Sequence, residues 1–166
     1  MKKVILSIVI AALAICCRAQ DDKPTFPFQG GNEVMAQFFR DSVKLSPEIM
    51  KVRASGIVIF KFSADEKGAI KNVVIYYADD VALASPLVDA LRKSSHKWII
   101  PFKEKEHDFV IPFQVKFTAP EKETEAERTA MYTYYKMRKP IIARDQTPLY
   151  SATLLPTVIV SYGSGQ

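Results

Sequence analysis

Cysteine is nearly absent from this chain and is poorly placed for chemistry. The 166 residues hold two, Cys16 and Cys17, both inside an N-terminal apolar segment that reads as an export signal. Once that segment is removed the chain has no disulfide, no thiolate nucleophile and no cysteine-based metal site. Histidine is as scarce. His96 and His107 are the only two, and two isolated histidines read as surface residues rather than metal ligands. The six glycines form no phosphate-cradling loop. There is no Gly-x-Ser-x-Gly elbow, no His-Glu-x-x-His and no Cys-x-x-Cys, so no motif points to an enzyme or a cofactor. A long apolar run is also missing. The longest, residues 4–17, has 14 residues; as a helix it spans about 21 Å, short of the ~30 Å hydrocarbon core.

The basic excess is smaller than it looks. The formal net charge is +5, from 23 Lys and Arg against 18 Asp and Glu. Lys2, Lys3 and Arg18 belong to the signal, which leaves 20 against 18, or +2. That is no footprint for nucleic acid. Lys2-Lys3, the short apolar run and Cys17-Arg18-Ala19 predict a signal peptide over 1–19, cleaved before Gln20, and no stable membrane span after cleavage. The alternatives are an uncleaved inner-membrane anchor, or a lipoprotein made at the near-lipobox Leu13-Ala14-Ile15-Cys16.

Beyond the signal, 20–29 reads as an extended leader. Asn32 is the expected N-cap of a first helix, with Val34, Met35, Phe38, Phe39 and Val43 on one apolar face and Ser46-Pro47 as its stop. Two strands, 57–63 and 69–77, flank the turn Asp65-Glu66-Lys67-Gly68, where Gly68 supplies the left-handed position. Ile57-Val58-Ile59-Phe60 is apolar on both faces, which implies either a sheet covered twice or an interface. Asp79-Asp80 reads as a solvated turn. Ser85-Pro86 then predicts a second helix, with Leu87, Val88 and Leu91 inward, running to Lys97-Trp98-Ile99-Ile100-Pro101. Residues 103–108 read as a charged loop and 109–117 as a third strand. Pro112 inside that strand marks an edge or a bulge, because proline has no N–H to give a ladder. A further helix is expected over 120–137, with acids in its first turn, and Tyr132, Tyr134 and Tyr135 read as its packing. A tail follows, punctuated by Pro140, Pro148 and Pro156. It ends in the strand former Thr157-Val158-Ile159-Val160-Ser161-Tyr162.

This ordered set, from Phe26 to Phe117, resembles the C-terminal domain of TonB, the periplasmic arm that pairs with outer-membrane transporters. It implies an α+β fold: a small antiparallel sheet with two helices packed on it, in the order helix-β-β-helix-β, over 30–118. A C-terminal helix and a β-prone tail over 119–166 lie beyond the resemblance. The resemblance also implies an exported, periplasmic, non-catalytic module. Its partner would be an envelope protein, the TonB-box-type segment of an outer-membrane transporter, added as a strand on the edge formed by Val110, Ile111, Phe113, Gln114, Val115, Lys116 and Phe117. The Pro-rich spacer of a full TonB is missing, which removes the basis for expecting energy transduction. The alternative is a structural protein that self-associates, as a homodimer, through the edge strand and tail. Residues 155–163 themselves have the look of a TonB box. Were both readings right, the tail would occupy the edge.

Overall fold

A computed structural model describes residues 26–101, 103–143 and 151–163. The signal-peptide expectation, the cleavage site and most of the leader lie outside the described residues.

The fold is α+β. Its elements in order are α1 (Gly31–Ser42), α2 (Pro47–Lys51), β1 (Gly56–Asp65), β2 (Ile70–Ala78), α3 (Val81–Lys93), β3 (Glu106–Thr118), α4 (Glu125–Met137), β4 (Ile141–Ile142), β5 (Thr153–Leu154) and β6 (Val158–Gly163). The sheet has six strands in the order β4-β2-β1-β3, with β5 and β6 following one another along the far side of β3. Pairing is antiparallel from β4 to β3 and parallel between β3 and both tail strands. The sheet is therefore mixed, where a purely antiparallel one was expected. The tail strands run in the same direction as β3, an arrangement no hairpin can make.

One face of the sheet carries the core. Val58, Phe60 and Phe62 of β1, Phe109, Ile111, Phe113 and Val115 of β3, and Val158 and Val160 of β6 are buried there with Met35 and Phe39 of α1 and Leu83, Leu87 and Leu91 of α3. Trp98 follows α3 and is 3% exposed. Its ring lies 4.7 Å from Phe62 and 5.1 Å from Phe28. Its Nε1 donates to Ser94 Oγ at 3.0 Å, which satisfies the one polar atom that a buried indole brings with it. Gly68 has φ +71, and a Cβ there would lie 2.4 Å from the Trp98 carbonyl, so both the turn and the close approach require glycine.

Four helix boundaries differ from expectation for local reasons. α1 is preceded by Gly30 at φ 87, not by Asn32. Ser46-Pro47 does not end α1 but begins α2, with Ser46 Oγ accepting from Ile49 N. α3 starts at Val81, five residues before Pro86, because the Asp80 side chain caps it by accepting from Ala82 N at 2.9 Å. Pro86 then sits inside the helix and withholds one donor from the Ala82 carbonyl. Asp79 is likewise no free turn residue, since its carboxylate accepts from Ile57 N at 2.7 Å. α4 begins at Glu125, with a capping box between Thr124 and Glu127.

Candidate functional site

The strand singled out in the sequence, β3, is not an edge. β1 lies on one side of it and the tail lies on the other. The direction of each backbone group follows from strand geometry, because successive residues point N–H and C=O to opposite sides. Phe117 N donates toward Ser55 at the start of β1, and the Val110 carbonyl accepts from Leu155 N of the tail. Ile111, Phe113, Val115 and Phe117 therefore address β1. Val110, Pro112, Gln114 and Lys116 address the tail.

The tail is built into the core. Leu155 is 3% exposed, Val158 1% and Val160 5%. The Tyr162 hydroxyl lies 2.7 Å from the Ala54 carbonyl and 3.3 Å from the Ile49 carbonyl, and the ring packs on Phe117 at 5.4 Å. Burial pushes this phenol up to about 12. Between β5 and β6 the register with β3 slips by one residue: Val110 pairs with Leu154, but Phe113 pairs with Val158. The extra residue falls at Pro156–Thr157, opposite Pro112. Both prolines thus stand where the ladder is already broken, and the missing Pro112 N–H costs nothing further.

The same alternation defines the outer side of β6. Pairing Gln114 with Ile159 and Val115 with Val160 turns the amides of Val158, Val160 and Tyr162 toward β3. Ile159 and Ser161 then turn theirs away from the sheet. Among the described residues no strand pairs with that side. β6 carries no charge and no proline, two of the devices that blunt a strand edge.

The two histidines and the acidic runs do not converge. His107, read as a surface residue, is 9% exposed. Its Nδ1 lies 2.6 Å from Glu104 Oε2 and its Nε2 lies 2.8 Å from Thr153 Oγ1, so the ring ties the start of β3 to β5. His96 ends the second-helix region at φ 69, with its amide donating to Gly68 O. Among the described residues, no group of three or more His, Cys, Asp and Glu side chains is placed to hold a metal ion. A cleft of about 460 Å³ lies between α2, α3 and α4, lined by residues that include Lys44, Glu48, Ile49, Pro86, Asp89 and Tyr134. No histidine or cysteine is among its lining residues.

Charge fixes the added helix. Arg53 pairs with Glu123 at 3.2 Å and with Glu127. Arg138 donates to the Ser55 carbonyl at 2.9 Å and stacks 3.8 Å from the Tyr135 ring. Burial, reinforced by the negative charge of Asp80, pushes the Tyr134 phenol up. Sequence reasoning missed both arginines as anchors, since partners 70 or more residues away leave no local trace.

No family model matches this chain, and neither a curated protein nor a solved structure does. Among the described residues no helix is long and apolar enough to cross a membrane.

Proposed function

We propose that this is a non-catalytic, exported protein-interaction module, similar to the TonB C-terminal domain, that takes an extended segment of an envelope protein as an additional strand. The observation that carries this reading is β6: six residues, uncharged, free of proline, with the backbone groups of Ile159 and Ser161 directed out of the sheet. β-Augmentation needs such a row of groups more than any particular side chain. The partner class follows from the TonB resemblance, namely the TonB-box-type segment of an outer-membrane transporter.

The receiving strand moves accordingly. Residues 110–117 of β3 are reached only by displacing β6, which means pulling Val158, Val160 and Tyr162 out of the core at roughly 1.5–3 kcal/mol for each large apolar side chain. The outer side of β6 accepts a strand with no such cost.

The test is a titration with a synthetic TonB-box-type peptide, Leu-Pro-Thr-Val-Ile-Val-Ser-Tyr-Gly, against the protein without its signal. Ile159→Pro removes an outward N–H and leaves the β3–β6 ladder whole. It is expected to weaken binding at least tenfold with the fold unchanged by circular dichroism. Equal binding by the wild type and a folded Ile159→Pro protein contradicts the reading.

A further inference from the structure

The outward side of β6 has a symmetry of its own. Val158, Val160 and Tyr162 bond toward β3, while Ile159 and Ser161 direct N–H and C=O out of the sheet. Among the described residues no strand takes that row. The side chains divide in the same way. Val158, Val160 and Tyr162 are buried on the core face, and Ile159 and Ser161 are exposed on the other. No residue from Val158 to Gly163 is charged. Turned about a two-fold axis that is normal to the sheet and passes beside Val160, this row meets itself in register. Ile159 then stands opposite Ser161 of a second copy, and Ser161 opposite its Ile159. Both outward residues are paired and none is left over.

We propose that two copies of the chain join β6 to β6, antiparallel, in one continuous sheet, and that this dimer keeps the edge closed until a partner segment competes for it. The dimer follows from β6 alone; its regulatory role rests on the strand-addition reading. Three features select a second copy as the occupant. First, the hydrogen bonds close. In an antiparallel ladder, residues whose outward groups face each other exchange two N–H···O bonds. The Ile159–Ser161 pair occurs twice about the axis, so every outward amide and carbonyl of the two residues is satisfied. Second, the existing register continues across the joint without a clash of charge. On the core face, Val115 and Val160 run into Val160 and Val115 of the second copy. Beside them, Phe113 and Val158 run into its Tyr162 and Phe117, which sets an aromatic against a β-branched residue, a favourable cross-strand pair. On the other face, Lys116 and Ser161 run into its Ile159 and Gln114. The two Lys116 are then three strand spacings and two residues apart, about 16 Å, beyond the screening length at physiological salt. Third, the assembly ends at two. The opposite edge of the sheet is occupied by β4, so each chain offers one such row, and an isologous contact uses it up.

Sedimentation equilibrium on the protein without its signal, from about 10 µM to about 1 mM, reads the result, with residue-resolved amide exchange at both ends of the range. The wild type is expected to pass from monomer to dimer. Ile159 and Ser161 should gain protection together as it does, because each bonds the other in the second copy. Ile159→Pro and Ser161→Pro each remove an outward N–H and leave the β3–β6 ladder whole. Each should weaken the dimer at least tenfold, with the fold checked by circular dichroism; two positions guard against one variant failing to fold. Ile142→Lys, at an exposed position on β4, should leave the dimer within about twofold of wild type. A saturating excess of the synthetic peptide should return the wild type to monomer. A wild type that stays monomeric to about 1 mM overturns the dimer and leaves the peptide titration to decide the strand-addition reading by itself. A dimer that withstands both prolines, or that protects only one of the two amides, overturns the pairing through β6. A dimer that persists with peptide bound overturns the shared edge. A proline-sensitive dimer in a chain that binds no peptide supports the pairing and contradicts the strand-addition reading instead.

Discussion

The two edges of this sheet are protected to very different degrees. At one edge, β2 pairs with β1 through two register shifts, between Ile59 and Phe60 and between Lys61 and Ser63. Asn72 there has φ 46, and β4 covers Tyr77 and Ala78. Bulges, a left-handed residue and a short cover strand all twist an edge away from incoming chains. At the other edge β6 is regular and uncharged, and among the described residues no further strand pairs with it. On the proposed reading, strand addition belongs to the plain edge and not to the defended one. The comparison also shows why β3 was an attractive but mistaken edge. Pro112 does signal a break in a ladder, but the break belongs to the joint between β5 and β6, inside the sheet.

The contrast breaks most severely if the tail is removed. Deleting residues 155–166 takes Leu155, Val158, Val160 and Tyr162 from the core. At about 1.5–3 kcal/mol for each, the loss rivals the whole stability of a small domain. The expected outcome is an unfolded or molten chain by near-ultraviolet circular dichroism. A truncated protein with native unfolding would mean the tail is a detachable cover and would return β3 to the role of receptive strand.

Paired prolines sharpen the comparison at single-residue resolution. Val160→Pro removes an amide directed at β3 and is expected to cost about 3 kcal/mol or more in urea unfolding. Ile159→Pro, one residue away, removes an outward amide and is expected to cost under about 1 kcal/mol. Equal costs would contradict the assigned directions. By the same alternation, proline at Val115 would cut the β1–β3 ladder and not the tail side.

A smaller effect comes from Tyr162. Tyr162→Phe gives up the hydroxyl's bonds to the Ala54 and Ile49 carbonyls, for about 1–2 kcal/mol at neutral pH. The phenol ionises near 10.0 unfolded and at about 12 folded. The folded state therefore holds its proton longer. Its share of stability is complete below pH 10 and is lost as pH rises toward 12, on the order of 2 kcal/mol over that window. Tyr134 shifts in the same direction. Unfolding followed from pH 9 to 12 should show a steep alkaline loss in the wild type and a shallower one in Tyr162→Phe.

Much of the fold was legible where the signal is local. The hairpin at Asp65–Gly68 and the inward helix faces around Met35, Phe39, Leu87 and Leu91 follow from short-range pattern. The start of α3 was misplaced because Ser85-Pro86 mimics a helix opening while Asp80 makes the actual cap. That the tail would lie beside β3 was among the expectations, but its parallel direction was out of reach in pattern alone. Alternating β-branched residues announce a strand but not its direction, and the partner here lies 45 positions upstream. The alternation failed at Ile57–Phe60 because β1 carries apolar side chains on both faces, Val58 and Phe60 buried in the core and Ile57 44% exposed.

Amide hydrogen exchange, resolved residue by residue along β6 with and without the synthetic peptide, tests the central claim most directly. Dilute free protein should protect Val158, Val160 and Tyr162 and leave Ile159 and Ser161 exchanging near open-chain rates. Saturating peptide should then protect Ile159 and Ser161 and leave the other three unchanged. Protection of Ile159 and Ser161 before any peptide is added, or loss of protection at Val160 and Tyr162 on adding it, would contradict the account; the second result would show that the peptide replaces β6 on β3.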